Sequence, residues 1–242
     1  MKILKHPKTK VPFLSLVVCQ HGNEQLGLKI FDALAKIIDR YPGLQLIIAN
    51  EEAVKINKRC VEQDLNRSYP GNPKGKLEAR LAHRLLKEVA GSEYVLDVHT
   101  TVSDAGFLTP IFGKRSKQTH SVINNLPSKK IVFIRKTLVK CSLIGNVVGG
   151  VSLEFGKEQF SQKSVDLTLK LVEDLYAKTK RAKKEREIFY VSGIIPASTP
   201  LPKNAKNFVK VPGKNIYPIL LKESAYMGNQ GLKGTRKAIV KI

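Results

Sequence analysis

The stretch Phe13-Leu14-Ser15-Leu16-Val17-Val18-Cys19-Gln20-His21-Gly22-Asn23-Glu24 decides how the chain is read. Its first part is a dense apolar run, too short for a buried helix and rich in β-branched and aliphatic residues, so it predicts a buried strand from Phe13 to Cys19. From Asn23 to Arg40 the apolar residues Leu26, Ile30, Leu34, Ile37 and Ile38 recur at helical spacing. A buried strand running through a polar loop into an amphipathic helix is the repeating unit of an α/β sheet. The loop between them carries a histidine and a glutamate three residues apart.

The pattern continues outward from this unit. Leu44 to Ala49 is a second apolar run after Pro42-Gly43, Gly75 to Ala90 is helical in period, and Tyr94 to Val98 is a third strand. A short helix is expected at Ser116–Leu126, strands at Ile131–Ile134 and Val147–Phe155, and a helix from Ser164 to Lys184. Strands alternating with helices predict an α/β domain over residues 1–186, with helices covering a largely buried sheet. After Arg186 proline, glycine and asparagine become frequent around short β-prone runs such as Ile216–Leu221 and Ala238–Ile242. Residues 187–242 therefore read as a small β-rich C-terminal domain.

Composition narrows the class. Apolar residues are 42% of the 242, a globular proportion. No apolar run approaches the roughly 18–20 residues that cross a bilayer. The basic then apolar start, Met1 to Cys19, has some features of a secretory signal. It lacks a small-residue cleavage site and runs straight into the loop of His21, so it is read as the first core strand of a cytoplasmic protein. Three widely spaced cysteines, Cys19, Cys60 and Cys141, give neither a disulfide framework nor a cysteine metal site. The net charge of +22 admits two readings. A nucleic acid or other polyanion is one partner such charge suits. The preferred reading is a lysine-rich solvated surface, because the densest run, Lys178–Arg186, has no interleaved aromatics. A homo-oligomer is compatible with the sequence.

His21 and Glu24 are spaced to share one side of a helical first turn, and the third strand ends in Asp97-Val98-His99-Thr100-Thr101. Open α/β sheets place their sites at the carboxyl ends of strands. Two imidazoles and one carboxylate suit a Zn²⁺ ion, one per chain, with the fourth position left for water. Asp97 is a candidate to orient His99, an assignment the alternation of side chains along a strand leaves open.

With these pieces quoted, the sequence resembles the succinylglutamate desuccinylase and aspartoacylase family, relatives of the zinc carboxypeptidases. The matching segments stand in family order: His21-Gly22-Asn23-Glu24, Arg59, Asp64-Leu65-Asn66-Arg67, Asp97-Val98-His99-Thr100-Thr101, Ser152-Leu153-Glu154-Phe155-Gly156, and a late segment from Tyr217 to Tyr226. The resemblance implies a carboxypeptidase-like central mixed sheet flanked by helices. It also implies a zinc-dependent amidohydrolase that removes an acyl group from an N-acyl amino acid or a related small carboxylated amide. In that scheme His21, Glu24 and His99 hold zinc and Glu154 is the general base. Arg59 stabilises the developing oxyanion, Asn66 and Arg67 bind the substrate carboxylate, and Tyr226 hydrogen-bonds substrate. Asp64 would hold a neighbouring basic side chain or backbone. The acylaspartate-cleaving members carry a further arginine shortly before the base. Here that stretch is Cys141-Ser142-Leu143-Ile144-Gly145-Asn146, without a basic residue, so acylaspartate specificity is not implied. Two alternatives stay open: a carboxypeptidase-like metallopeptidase on short peptides, and a basic polyanion-binding protein with a vestigial hydrolase core.

Overall fold

In the computed structural model, which describes residues 1–156, 162–179, 181–223 and 228–242, ten strands form one mixed sheet between helical layers. In chain order the strands are β1 (Lys2–Lys5), β2 (Leu14–Val18), β3 (Leu44–Ile48), β4 (Tyr94–Thr100), β5 (Leu108–Phe112), β6 (Lys130–Ile134), β7 (Gly150–Phe155), β8 (Glu185–Ile195), β9 (Tyr217–Ile219) and β10 (Gly231–Lys241). The helices are α1 (Leu26–Ala35), α2 (Glu51–Lys55), α3 (Leu77–Glu88), α4 (Lys117–Asn125), α5 (Leu143–Asn146) and α6 (Gln162–Tyr176). The strand order across the sheet is β1-β3-β2-β4-β7-β5-β6-β8-β10-β9.

The alternation of side chains along β2 explains the layers. Leu14, Leu16 and Val18 pack in one cluster with Leu26, Ile30 and Leu34 of α1 and Val165 and Val172 of α6. Val17 points to the other face, into a cluster with Ile47, Val95 and the α3 residues Ala82 and Leu85. Both faces being covered, β2 and β3 are apolar almost throughout and wholly buried, as central parallel strands must be.

The order of the strands creates the crevice. From β2 the chain passes through α1 to β3 on one side, then returns through α3 to β4 on the other, and β2 is parallel to both. Connections leaving β2 and β4 therefore diverge at their carboxyl ends, which is where such sheets open a binding crevice. β7 lies parallel beside β4, with His99 and Glu154 as direct register partners.

The sequence expectations hold for β2, α1, β3, α3, β4, α4, β6 and β7 to within a few residues, as is usual at element ends. No element was expected at β5, a short strand interrupted by Pro110, whose composition argues against a central strand. The helix expected to reach Lys184 stops at Tyr176. Repulsion among closely spaced like charges beyond that point disfavours further turns, and Lys178 takes a left-handed conformation (φ 49°). The 186/187 boundary falls inside β8, which is parallel to β6 and antiparallel to β10.

The basic run is not uniformly solvated. Arg181 hydrogen-bonds Asn125 at 2.8 Å and is ion-paired with Asp174. Arg186 is 2% exposed, and its guanidinium donates to the carbonyls of Ile123, Leu126 and Ser128 just beyond and within the last turn of α4. Ile123 and Leu126 stand where a helix end leaves carbonyls short of donors, the Ile123 carbonyl accepting also from the Leu126 amide at 3.1 Å, and Ser128 follows beyond the helix. Arg186→Leu removes the guanidinium donors from this group and is expected to lower stability by about 1–3 kcal/mol. Denaturant unfolding at constant m-value reads this; an unchanged midpoint would refute the capping role.

Candidate active site

The chain leaves β2 through Cys19, held in a left-handed conformation (φ 53°). Burial and the nearby Glu24 push the Cys19 thiol up to about 12, so it is an inert packing group. Gly22 passes directly against α2: a Cβ there would lie 2.0 Å from the carbonyl carbon of Ala53. Only glycine permits this close approach, and the approach turns His21 and Glu24 towards the end of β4.

There the two residues meet His99. Nδ1 of His21 is 2.6 Å from Oε1 of Glu24, and Nδ1 of His99 is 3.1 Å from Oε2. One ligand atom from each of the three lies within 4.8 Å of the others. The second nitrogen of each ring faces another acid: His21 Nε2 is 3.1 Å from Asp64 Oδ1, and His99 Nε2 is 3.0 Å from Asp97 Oδ2. Asp97 is fully buried and accepts from Gln20 Nε2 at 2.7 and 2.8 Å, while Tyr69 donates its hydroxyl to Gln20 Oε1 at 2.8 Å. Being two residues apart on one strand, Asp97 and His99 project from the same face of β4.

The charge of this cluster tests whether a metal suits it. Burial works against the ionised form of Glu24, but His21 and His99 outweigh it and hold the carboxyl down to about 2. Burial also works against a charged His21, yet Glu24 and Asp64 raise it. His99 is raised further, with Asp97, Glu24 and Glu154 overcoming burial. Asp64, despite burial, is held well below the usual carboxylate range by His21 and Arg59. Glu24 and Asp64, both held as carboxylates, thus flank the rings and call for positive charge. His21, Glu24 and His99 would together hold a divalent cation that meets that demand, with Asp64 and Asp97 behind the two rings. The donor set fits zinc.

Glu154, beside His99 on β7, accepts from Ser152 Oγ at 3.0 Å. Its burial pushes the carboxyl up to about 7, against the pull of His99. Arg59 is anchored on Asp64 Oδ2 through Nε at 3.0 Å and Nη2 at 2.8 Å. Asp64 caps the turn Leu65–Arg67 by accepting from the Asn66 amide at 2.8 Å. Asn66 accepts from the Leu143 amide at 3.1 Å, and its Nδ2 lies 3.4 Å from His99 Nε2. All seven predicted site residues within the described structure (His21, Glu24, Arg59, Asn66, Arg67, His99 and Glu154) line one cavity of about 370 Å³. Tyr226 lies outside the described residues.

Several supports were not singled out from sequence. The Glu78 carboxylate, fully buried, accepts from the amides of Val61, Glu62 and Gln63 and from Asn50 Nδ2. It fixes the loop between Arg59 and Asp64. An acid in the first turn of α3 reads simply as favourable to the helix dipole, and nothing local announces a loop folded over it. Thr101 donates to Glu223, and Asn207 bridges Ser103 Oγ and the Leu221 amide. These bonds tie the segment after β4 to the C-terminal region.

Comparisons with known proteins identify the family and the fold. The family model described as the succinylglutamate desuccinylase/aspartoacylase catalytic domain matches residues 10–130. A "Probable aspartoacylase" of Prochlorococcus marinus (strain NATL1A) is 33% identical over 115 residues, covering 41% of this chain and 37% of that protein. Its counterpart in Acaryochloris marina (strain MBIC 11017) is 34% identical over 100 residues, covering 36% and 34%. The aligned stretch thus spans little more than a third of these relatives. Crystal structures extend the likeness in fold. The E177A mutant of murine aminoacylase 3 superposes with TM-score 0.74 at 16% identity, covering 97% of both chains. The succinylglutamate desuccinylase of Chromobacterium violaceum superposes with TM-score 0.73 at 15% identity, covering 99% of this chain and 88% of that one.

The geometry around the rings generates a binding prediction. His21→Ala is expected to abolish stoichiometric zinc. Asp97→Asn leaves the three donors in place but removes the charge behind His99, and is expected to weaken zinc affinity about 10- to 100-fold. Competition with a chromogenic chelator measures both. Equal affinity in Asp97→Asn and the unmodified protein would dismiss the supporting role of Asp97.

Proposed function

Since this chain belongs to the succinylglutamate desuccinylase/aspartoacylase family, we propose that it is a zinc-dependent amidohydrolase that removes the acyl group from a carboxylated N-acyl amino acid. One observation carries the reading. The donor triad, from the loop after β2 and from β4, and Glu154 of β7 line the same cavity, with His99 and Glu154 in direct register. A bound Zn²⁺ supplies a Lewis acid for the amide carbonyl and lowers the pKa of water at neutral pH.

The chain's own groups do the remainder. Arg67, at the cavity wall, takes the substrate carboxylate in a bidentate fork, and Asn66 beside it fixes the approach. Glu154 removes a proton from the attacking water and delivers it to the leaving nitrogen, for which a carboxyl held near neutrality is matched. Arg59, kept in place by Asp64, faces the charge that develops on the carbonyl oxygen. Asp64 and Asp97 keep the two imidazoles oriented. Tyr226 is the remaining substrate-binding candidate. The three cysteines are unpaired, and among the described residues no helix is long and apolar enough to cross a membrane. The unpaired cysteines support a cytoplasmic setting.

The test is a screen of N-acyl amino acids and short peptides against zinc-loaded protein, scored by amine release. Turnover of the former above the latter supports a deacylase, and the opposite ranking a peptidase. Glu154→Gln is expected to lower kcat by about 10²–10⁴-fold with KM little changed; retention of full kcat would remove Glu154 as the base. The pH profile follows from the same group. Glu154 works as the carboxylate, the form lost as pH falls through its pKa, so activity declines on the acid side. With burial placing that pKa at about 7 and a bound cation drawing it down, the acid limb is expected at or below pH about 7. Glu154→Gln should lack it.

A further inference from the structure

The cavity has two unlike halves. One holds the triad, Glu154, Arg59 and Arg67. The opposite wall is apolar: Ile111 from β5, Ile134 from β6, Val191 from β8 and Leu232 from β10. These four belong to one hydrophobic cluster and are buried, so the wall is the face of a packed core and not a scatter of side chains. Val139 from the loop before α5 and Ile144 from α5 itself add to it, both from the same cluster. At the mouth stand Leu138 and Ile194, 46% and 47% exposed. Two large apolar groups left in water at the rim of an apolar wall are a surface that an apolar ligand covers favourably.

Charge points the same way. Among the described residues lining the cavity, the cations are Arg59 and Arg67. Arg59 is spent on Asp64, whereas Arg67 has no ion-pair partner among the described residues and donates from Nη1 to the Asn66 carbonyl at 2.8 Å. Among the described residues that leaves one cation for a substrate carboxylate. The apolar wall offers no second. The further acid in the lining, Glu223, would repel a second carboxylate of the substrate.

We propose that the substrate carries a single carboxylate, taken by Arg67, and a sizeable apolar group lying against Ile111, Ile134, Val191 and Leu232. Neutral, apolar N-acyl amino acids are then preferred to acylated aspartate or glutamate. This rests on the deacylase reading for its chemistry, but the pocket's preference is measurable without turnover.

The experiment has two arms on the zinc-loaded protein. In the first, N-hexanoylglycine, N-acetylphenylalanine, N-acetylaspartate and N-succinylglutamate are compared by amine release. At least a tenfold advantage in kcat/KM for the better of the first two is expected, and which of them leads tells whether the acyl group or the amino-acid side chain meets the wall. Acidic substrates cleaved as well or better overturn the proposal. In the second arm, calorimetry compares butanoate, hexanoate and succinate. Affinity should rise by about fourfold per added methylene, with hexanoate at least tenfold tighter than succinate. If no amide is cleaved yet this order holds, the deacylase reading fails and the apolar pocket stands. Succinate binding as tightly as hexanoate refutes the pocket whatever the turnover. Leu138→Arg, at a half-exposed rim position and checked for unchanged thermal unfolding, should lower the hexanoate-to-succinate affinity ratio at least tenfold. An unaltered ratio counts against the assignment of the rim.

Discussion

Gathering three carboxylates, two of them buried, around two imidazoles is the constraint on which this molecule is organised. Isolated charges of that kind are too poorly solvated inside a protein to persist, so each is held by a partner from a different element. Glu24 at the head of α1 lies between the rings of His21 and His99. Asp64, from the loop before the Leu65–Arg67 turn, is divided between His21 and Arg59. Asp97, inside β4, is shared by His99 and Gln20, and Gln20 in turn by Tyr69. The chain from Tyr69 to Arg59 is continuous, and removing one member leaves its neighbour with one of its bonds unmade.

The surrounding structure reads as the means of keeping that cluster rigid. The sheet sets the coarse spacing, because β2, β4 and β7 are adjacent and parallel. Glu78 gathers three successive amides of the 61–63 loop and so fixes the positions of Arg59 and Asp64 flanking it. Asn66 joins the same loop to the start of α5 through the Leu143 amide, which brings the 138–144 segment over the cavity. Polar groups with every bond satisfied specify a single arrangement in a way that apolar packing alone does not. The apolar wall across the cavity has the opposite origin. It is one face of the hydrophobic cluster that Ile111, Ile134, Val191 and Leu232 form with Val139 and with Ile144 of α5.

The identity of the basic residues needs the same distinction. A net charge of +22 reads in sequence as surface, and much of it is exposed. Arg186 is instead an internal cap for α4, and Arg59 an internal tether. Both carry guanidinium groups, whose several donors can satisfy grouped carbonyls or a carboxylate where lysine could not.

The sequence alone determined the α/β class, most of the strands and helices of the first half, the family resemblance, and the residues that line the cavity from the motifs His21–Glu24, Asp64–Arg67, Asp97–Thr101 and Ser152–Gly156. These were legible because each depends on neighbours in the chain: apolar period sets strand or helix, and motif residues sit at fixed offsets around strand ends. Only the tertiary structure decided that Asp97 lies behind His99, that Glu78 holds the loop of Arg59, that β5 pairs inside the sheet despite Pro110, and that β8 to β10 continue that sheet. It alone set an apolar wall opposite Arg67. Those features join residues from different parts of the chain, and no local period or spacing records which distant groups a folded sheet brings into contact. The opening stretch from Phe13 to Glu24 specified a strand, a turn and two potential ligands. What they face was settled by the parallel pairing of β2 with β4 and of β4 with β7.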